Sequence, residues 1–316
     1  MDRSRSRIRS ARLNFAVQNL AIGLLFVLAI ASFFFFEGSN LIAMLSSRKP
    51  TSPNEKSTIQ ASPHSAISSK RTSENDDLHP LDSVLQLARS ELKKFSEQVL
   101  DYTATMRMRE RIGDKLGQEN QLFVKIINRR LLSNNAKVPL QVYLRFDGPS
   151  NVKGREVLWV EERNDGNMLA HEGGFMNLMR VKLAPTGTLA MMGNKYPITE
   201  IGIGNLFSKL IEKGERDRML GDCEVTMREH EPWNGLDLVK IEVKHPNRHP
   251  DFDFHIARIY IDTDRHLPVR YESYMWPKMP GGEPLLEEQY TYSDIQLNVG
   301  LTESDFDPEN KSYQFP

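Results

Sequence analysis

From Tyr102 onward, apolar residues recur at every second position, in segments too closely spaced to be anything but neighbouring antiparallel strands. In "YTATMRMRER", Tyr102, Ala104, Met106 and Met108 alternate with Thr103, Thr105, Arg107 and Arg109, the pattern of a strand with one buried face. "LQVYLRF" repeats it through Leu140, Val142, Leu144 and Phe146. Further strands are expected in "QLFVKII", "EVLWVEE", "NMLAHE", "LMRVKL", "CEVTMRE", "LDLVKIEV", "IARIYI", "LPVRYESY" and "EEQYTYSDI", punctuated by Gly, Pro, Asn and Asp. That makes about eleven strands. A parallel pair needs a crossover of a dozen or more residues, and the spacing leaves no room for one, so the sheet should be mostly antiparallel and strongly curved.

Before the strands the apolar period is helical. Leu81, Leu85, Ala88, Leu92, Phe95, Val99 and Tyr102 are spaced alternately by four and three, which draws one stripe along a helix of roughly five turns. Asp82 and Ser83 stand near its start, where unpaired backbone N–H groups favour such residues. A second helix is expected in "NLFSKLIEK", with Leu206, Phe207, Leu210 and Ile211 on one side, an Asn205 cap, and Gly214 beyond its end. The fold class expected is α+β, mostly β: a curved antiparallel sheet, an incomplete β-barrel, with an N-terminal helix and one inserted helix covering the concave face.

The residues ahead of this domain speak to location. Residues 1–14 carry five Arg against one Asp, and residues 15–36 are apolar except for Gln18, Asn19 and Ser32, with Gly23 among them. Twenty-two helical residues rise about 33 Å, enough for a hydrocarbon core of about 30 Å. The positive-inside rule then puts the N-terminus in the cytoplasm and the folded domain in the periplasm, held at the inner membrane by a signal-anchor. A cleaved signal peptide is the alternative, since Ala29-Ile30-Ala31 has the small-x-small pattern. Both readings export the domain. Residues 37–80 form a tether whose stretch from Ser46 to Pro80 has almost no bulky apolar side chain, a composition of disorder with a reach of roughly 30–36 Å. The folded domain is 81–316.

Charge and motifs exclude several chemistries. The formal net charge is −1, without the basic stripe of a nucleic-acid binder. Cys223 is the one cysteine, read as a small buried residue, with Asp222 and Glu224 beside it to dull a thiolate. There is no G-x-S-x-G elbow and no Gly-rich phosphate loop, so no catalytic residue and no cofactor is assigned. "AHEGG" at Ala170–Gly174 lacks the second His of a zincin and reads as a strand end followed by a turn. His245, His249 and His255 in "HPNRHPDFDFH" are a metal alternative, because local sequence could supply several ligands, but their spacing fits no zinc motif and the prolines mark a loop. Adjacent carboxylates such as Glu161-Glu162 and Glu287-Glu288 should point to opposite faces of a strand and not act together.

In "IYIDTDRHLPVRYESYMW", a hairpin explains the charged cluster. With Asp264, Arg265 and His266 as a three-residue loop, Ile261 should face Val269, Ile259 should face Tyr271, and Arg258 should face Glu272. The order of helix, antiparallel meander, inserted helix and this hairpin resembles the exported lipoprotein-carrier (LolA/LolB-like) superfamily. "VYLRF", "GREVLWV", "GNMLAH" and the terminal "LNVGLTESDFDPEN" resemble an uncharacterised bacterial domain-of-unknown-function family placed near that superfamily. The resemblance covers Leu81 to Phe315. It implies a half-barrel with a helical lid holding acyl chains. No arginine of the carriers maps onto a particular Arg here, and a transmembrane anchor departs from carriers that shuttle.

The function expected is therefore binding of an acyl chain, lipid or lipoprotein in an apolar hollow. All but two of the thirteen methionines fall at or after Met106, and Met lines adaptable apolar sites as well as filling cores. The expected lining is Met106, Met108, Leu144, Phe146, Trp159, Met191 and Met192 from strands, with Leu206, Phe207 and Leu210 from the lid. An envelope protein-interaction or sensing module without a ligand is the rival reading, and a metal-dependent hydrolase using the three histidines the second.

Overall fold

The computed structural model describes residues 79–316. The basic segment, the apolar segment and nearly all of the tether lie outside the described residues. Among the described residues, no helix is long and apolar enough to cross a membrane.

In chain order the domain runs α1 (Leu81–Gln98), β1 (Asp101–Ile112), β2 (Lys115–Leu116), β3 (Asn120–Ile127), β4 (Arg130–Leu131), β5 (Lys137–Val138), β6 (Gln141–Gly148), β7 (Glu156–Val160), β8 (Met168–His171), β9 (Val181–Leu183), α2 (Thr188–Met191), α3 (Ile203–Leu220), β10 (Glu224–Trp233), β11 (Leu236–Lys244), β12 (Ile256–Asp262), β13 (Leu267–Met275) and β14 (Leu285–Leu297). Eleven strands form one open, curved antiparallel path, β10-β11-β12-β13-β14-β1-β3-β6-β7-β8-β9, with β2 attached to β1. The two-residue strands β2, β4 and β5 are too short to leave a period-2 signal.

Topology explains the lid. Strands β9 and β10 follow one another in sequence but form opposite edges of the sheet. The chain between Leu183 and Glu224 must therefore cross the concave face, and it does so as an irregular strap followed by α3. Helix α1 enters the same face, leading into β1 at the middle of the sheet, which β14 joins from the far end of the chain with Tyr102 opposite Leu297 and Glu110 opposite Glu288.

One apolar core runs from Phe95 and Val99 through Ala104, Val124, Val142 and Trp159 to Phe207 and Val269. A second joins Leu81, Leu85 and Ile211 to Ile241, Val243 and Ile259. The two helices meet at glycines. A Cβ on Gly204 would stand 3.1 Å from Phe95, and one on Gly214 would stand 2.9 Å from Leu85. Gly214 is therefore inside α3, where it permits close approach to α1, and not beyond the helix end as its residue type implied. Nor is Asn205 the cap: Gly202 precedes the helix at φ +111°, and Asn205 donates its side-chain amide back to the carbonyls of Thr199 and Ile201. Asp82 is spent otherwise too, bonding His79 N–H and pairing with Arg218 at the end of α3.

The opposite face carries the second half of the design. Over β6 and β7 it is covered by the C-terminal segment: Phe306, fully buried, packs with Ile127, Tyr143, Leu158 and Val160. Tyr313 stacks on Tyr143 at 4.0 Å, and Phe315 meets the His171 ring edge-on at 4.5 Å. Beneath them Glu156 is buried, taking hydrogen bonds from Tyr143 Oη, Gln314 N–H and His171 Nε2 at 2.9, 2.8 and 2.9 Å. "AHEGG" is a strand end and turn, yet its histidine is a buried partner in this latch.

The hairpin differs by one residue. Arg258 faces Glu272 and Ile259 faces Tyr271, but Ile261 faces Pro268, with a bulge that leaves Val269 unpaired. Asp262 accepts the N–H groups of Asp264 and Arg265, and His266 adopts φ +57°, so the loop has four residues, Thr263–His266. Arg258 bonds Glu242 on the other neighbouring strand, at 2.7 Å, and Glu272 is held by Arg270 and Tyr274.

Candidate functional site

Between the concave face and the strap with α3 lies a cavity of about 150 Å³. Its floor comes from alternate residues of neighbouring strands, because period 2 sends every second side chain to one face: Met106 and Met108 of β1, Leu122 of β3, Leu144 and Phe146 of β6, Val157 of β7 and Met168 of β8. Its roof is Ala190, Ile198 and Ile201 of the strap with Leu206 and Leu210 of α3. Asn194, Glu200, Asn205 and Lys209 form a polar rim that leaves it partly open to solvent. A smaller void of about 70 Å³ lies under α1 beside β11, β12 and β13.

Six of the ten residues expected to line a hollow, Met106, Met108, Leu144, Phe146, Leu206 and Leu210, stand in the cavity wall. Four stand elsewhere. Trp159 is buried in the core with its indole N–H donated to Gly166 O, and Phe207 packs on Phe95 and borders the smaller void. Met191 ends the short helix α2, outside the wall, and Met192 beside it is 46% exposed. Both belong to the strap, not to a strand, and the sequence "LAMMGN" has too little period to say which way they turn.

One end of the cavity is polar. Glu110 continues the inward parity of Met106 and Met108; Glu288 precedes Tyr290 and Tyr292 on the same face of β14. Tyr290 donates to Glu110 Oε1, and Lys195 N–H donates to Glu110 Oε2 at 2.8 Å. Lys213 Nζ lies 3.3 Å from Glu288 Oε1 and 3.3 Å from Tyr196 Oη. Lys195 Nζ lies 3.3 Å from Glu288 Oε2 and 2.7 Å from Glu287 Oε1. Both adjacent glutamates thus reach one ammonium, contrary to the alternation expected of them, because a bulge opposite Ser273 and Tyr274 puts Glu287 out of register.

Burial pushes the Glu110 carboxyl above its usual value, against the hydrogen bonds it accepts. Burial acts the same way on Glu288, but the charges of Lys213 and Lys195 outweigh it and hold that carboxyl below its usual value. Burial, then the nearby carboxylates, raise the Tyr196 and Tyr290 phenols, so they remain donors at neutral pH. No motif announced this cluster. Strand parity could have found it, since Glu110 falls two residues after Met108 and Glu288 two before Tyr290.

The three histidines do separate work. His245 is buried, with Nε2 3.2 Å from Asp217 Oδ2 and its ring stacked on Phe252. His255 Nδ1 bonds His245 O, and His249 sits in the loop beside Asp251. Among the described residues, no group of three His, Cys, Asp or Glu is placed to hold a metal ion. Cys223 is buried, which pushes its thiol up to about 11.

An open β-sheet with a helical cover and an apolar, partly open cavity is the class this geometry defines. The chain belongs to the family described as Protein of unknown function (DUF1571), whose model matches residues 99–315 and so takes in the sheet, the lid and the C-terminal strap. No curated protein sequence matches it. Among solved structures, it is similar to a DUF1329 family protein from Desulfovibrio piger (13% identity, 73% of this chain and 98% of that one, TM-score 0.36). It is also similar to the lipoprotein LppX of Mycobacterium tuberculosis (15%, 70% and 98%, TM-score 0.35) and to a LolA superfamily protein from Nitrosomonas europaea (12%, 70% and 97%, TM-score 0.28). At these values the likenesses carry no functional weight.

Proposed function

We propose that the domain binds an acyl chain, of a lipid or a lipoprotein, in the cavity between the sheet and α3, and that it does so on the periplasmic side of the membrane that anchors its N-terminus. The observation that carries the binding is the cavity itself: about 150 Å³, floored by seven apolar side chains of five strands, and open at a polar rim. An apolar void of that size takes roughly a six-carbon guest. At ~0.8 kcal/mol per buried methylene, six carbons contribute about 5 kcal/mol before the cost of ordering the guest. A longer chain leaves through the rim or displaces the strap. The anchor rests on the Arg-rich residues 1–14 and the apolar residues 15–36.

The test uses the full chain. Native mass spectrometry should show one bound lipid that survives detergent removal, and medium-chain alkanols should displace an apolar fluorescent probe. A protein that carries no lipid and whose probe signal no alkanol changes would refute the proposal. For the anchor, a protease added to spheroplasts should digest the folded domain while the N-terminal segment stays in the membrane fraction; a protected domain would refute it.

A further inference from the structure

The two voids under the lid are neighbours with a common wall. The cavity of about 150 Å³ and the smaller void of about 70 Å³ are both bounded by Leu210, Lys213 and Tyr271. Strand pairing shows why. Ile241, Ile259, Tyr271, Tyr290 and Met108 stand opposite one another in turn, from β11 through β12, β13 and β14 to β1, and so form one cross-strand row on the concave face. Ile241 and Ile259 floor the smaller void, Tyr290 and Met108 floor the larger, and Tyr271 belongs to both. Above Tyr271, α3 lies against β13, with Leu210 and Lys213 one turn apart on its sheet-facing side.

This partition has a fixed part and a yielding part. Tyr271 is 3% exposed, and its ring lies parallel to that of Tyr290 at 6.4 Å. Lys213 is tied by its ammonium to Glu288 and Tyr196, each at 3.3 Å. Leu210 is half-buried and held by packing alone. The polar side of the larger cavity is paired within itself, with Lys195 and Lys213 on Glu288 and Tyr290 on Glu110, so a guest's head group stays at the solvent rim and its chain points inward.

Resting on the reading of the larger cavity as an acyl-chain site, we propose that the two voids are lobes of one trough and that Leu210 sets the length of the guest. It stops the chain at about six carbons, and the smaller void is the continuation that it closes off. That void has the same chemistry as the larger one, with Leu85, Ile241, Val243 and Ile259 in its wall. At the ~25 Å³ per carbon that a six-carbon guest in 150 Å³ implies, 70 Å³ holds about three carbons more. Truncating Leu210 to Ala takes the yielding part out of the partition and leaves Tyr271 and Lys213 in place, which opens the passage without disturbing the floor.

A series of 1-alkanols from butanol to decanol, titrated into the full chain and followed by methyl-13C methionine and isoleucine NMR, tests this. Met106, Met108 and Met168 report the larger cavity, Ile241 and Ile259 the smaller void, and the exposed Met219 and Met279 nonspecific partition. In the wild type each added carbon should tighten binding about fourfold up to hexanol and less than about twofold beyond it, with Ile241 and Ile259 unmoved. In Leu210→Ala the fourfold step should continue to about nine carbons, and nonanol should shift both isoleucines. Ala88→Leu, which fills the smaller void from α1, should bring the break back to about six carbons in that background. A wild-type slope that runs unbroken past hexanol, or a break that Leu210→Ala leaves in place, would overturn the partition while leaving the acyl cavity standing. No shift of the cavity methionines with any alkanol would overturn both. If the methionine spectrum of Leu210→Ala shows unfolding, Leu210→Met takes its place: nearly equal in volume but unbranched, it should carry the fourfold slope beyond about seven carbons, and an unchanged break would count against the partition in the same way.

Discussion

Val157→Phe puts the cavity to a test that separates stability, which should change little, from binding, which should fall steeply. Val157 lines the cavity floor from the short strand β7 and is nearly buried, so a ring at this position extends into the void. At ~24 cal/mol per Å³, a 150 Å³ void corresponds to about 3.6 kcal/mol of lost packing. Phe adds four carbons, roughly two thirds of a six-carbon space, and so recovers about 2.4 kcal/mol. Overpacking strain takes back ~1–3 kcal/mol, which leaves the variant between about 1.4 kcal/mol more stable and about 0.6 kcal/mol less stable. The same four carbons are denied to a guest, at ~0.8 kcal/mol each, so hexanol should bind more than about 100-fold more weakly. Urea unfolding followed by tryptophan fluorescence measures the first quantity, and displacement of the apolar fluorescent probe by hexanol measures the second. If Val157→Phe lost about 2 kcal/mol or more, the floor would have no room above it. If its affinity for hexanol were unchanged, the guest would lie elsewhere.

Three further outcomes follow from the packing and the latch. Gly214→Val should destabilise the domain by about 1–3 kcal/mol in urea melts, because its side chain meets the buried Leu85, whereas Gly214→Ala should stay within about 1 kcal/mol as helix propensity offsets a methyl contact that Leu85 can relax. Phe306→Ala should cost about 3–5 kcal/mol and increase binding of a hydrophobic dye at the bared β6–β7 face; a loss below about 1 kcal/mol would show that the terminal strap is not part of the core. The latch should depend on pH at both limbs. Burial acts against the His171 charge, but Glu156 outweighs it and raises His171, so that contribution is complete below ~6.5 and lost as pH rises through the folded value. Burial likewise acts against the Glu156 charge, but His171, Gln314 N–H and Tyr143 outweigh it and lower Glu156, so its contribution is complete above ~4.3 and lost as pH falls through the folded value. Protection of the Gln314 amide, its exchange rate relative to the intrinsic rate at each pH, should therefore be greatest between about pH 4.3 and 6.5, and His171→Gln should abolish the alkaline limb alone; an unchanged alkaline limb would place the control in another group.

Much of this domain was legible in its sequence because the legible parts are local. Period 2 and period 3.6 are properties of a strand or helix by itself, so the long strands, both long helices and six of the cavity's wall residues could be read one segment at a time. Residues whose roles depend on a distant partner could not. Gly214 resembles a helix terminator until Leu85, far away in the chain, is placed against it. Glu287 and Glu288 look divided between two faces until the pairing of β14 with β13 introduces a bulge, and His171 looks like a strand end until the C-terminal strap closes Glu156 over it.

The amino-acid order by itself determined an antiparallel layer with one oily face and two amphipathic helices to cover it, since side-chain alternation and helical stripes arise from bonds between near neighbours. Only the tertiary structure decided that β14 pairs with β1, that the chain from β9 to β10 must cross the concave face, and that the crossing leaves a void with a polar end. Those outcomes come from long-range pairing and from the volume that packed side chains fail to fill, and neither quantity is a property of any stretch of sequence.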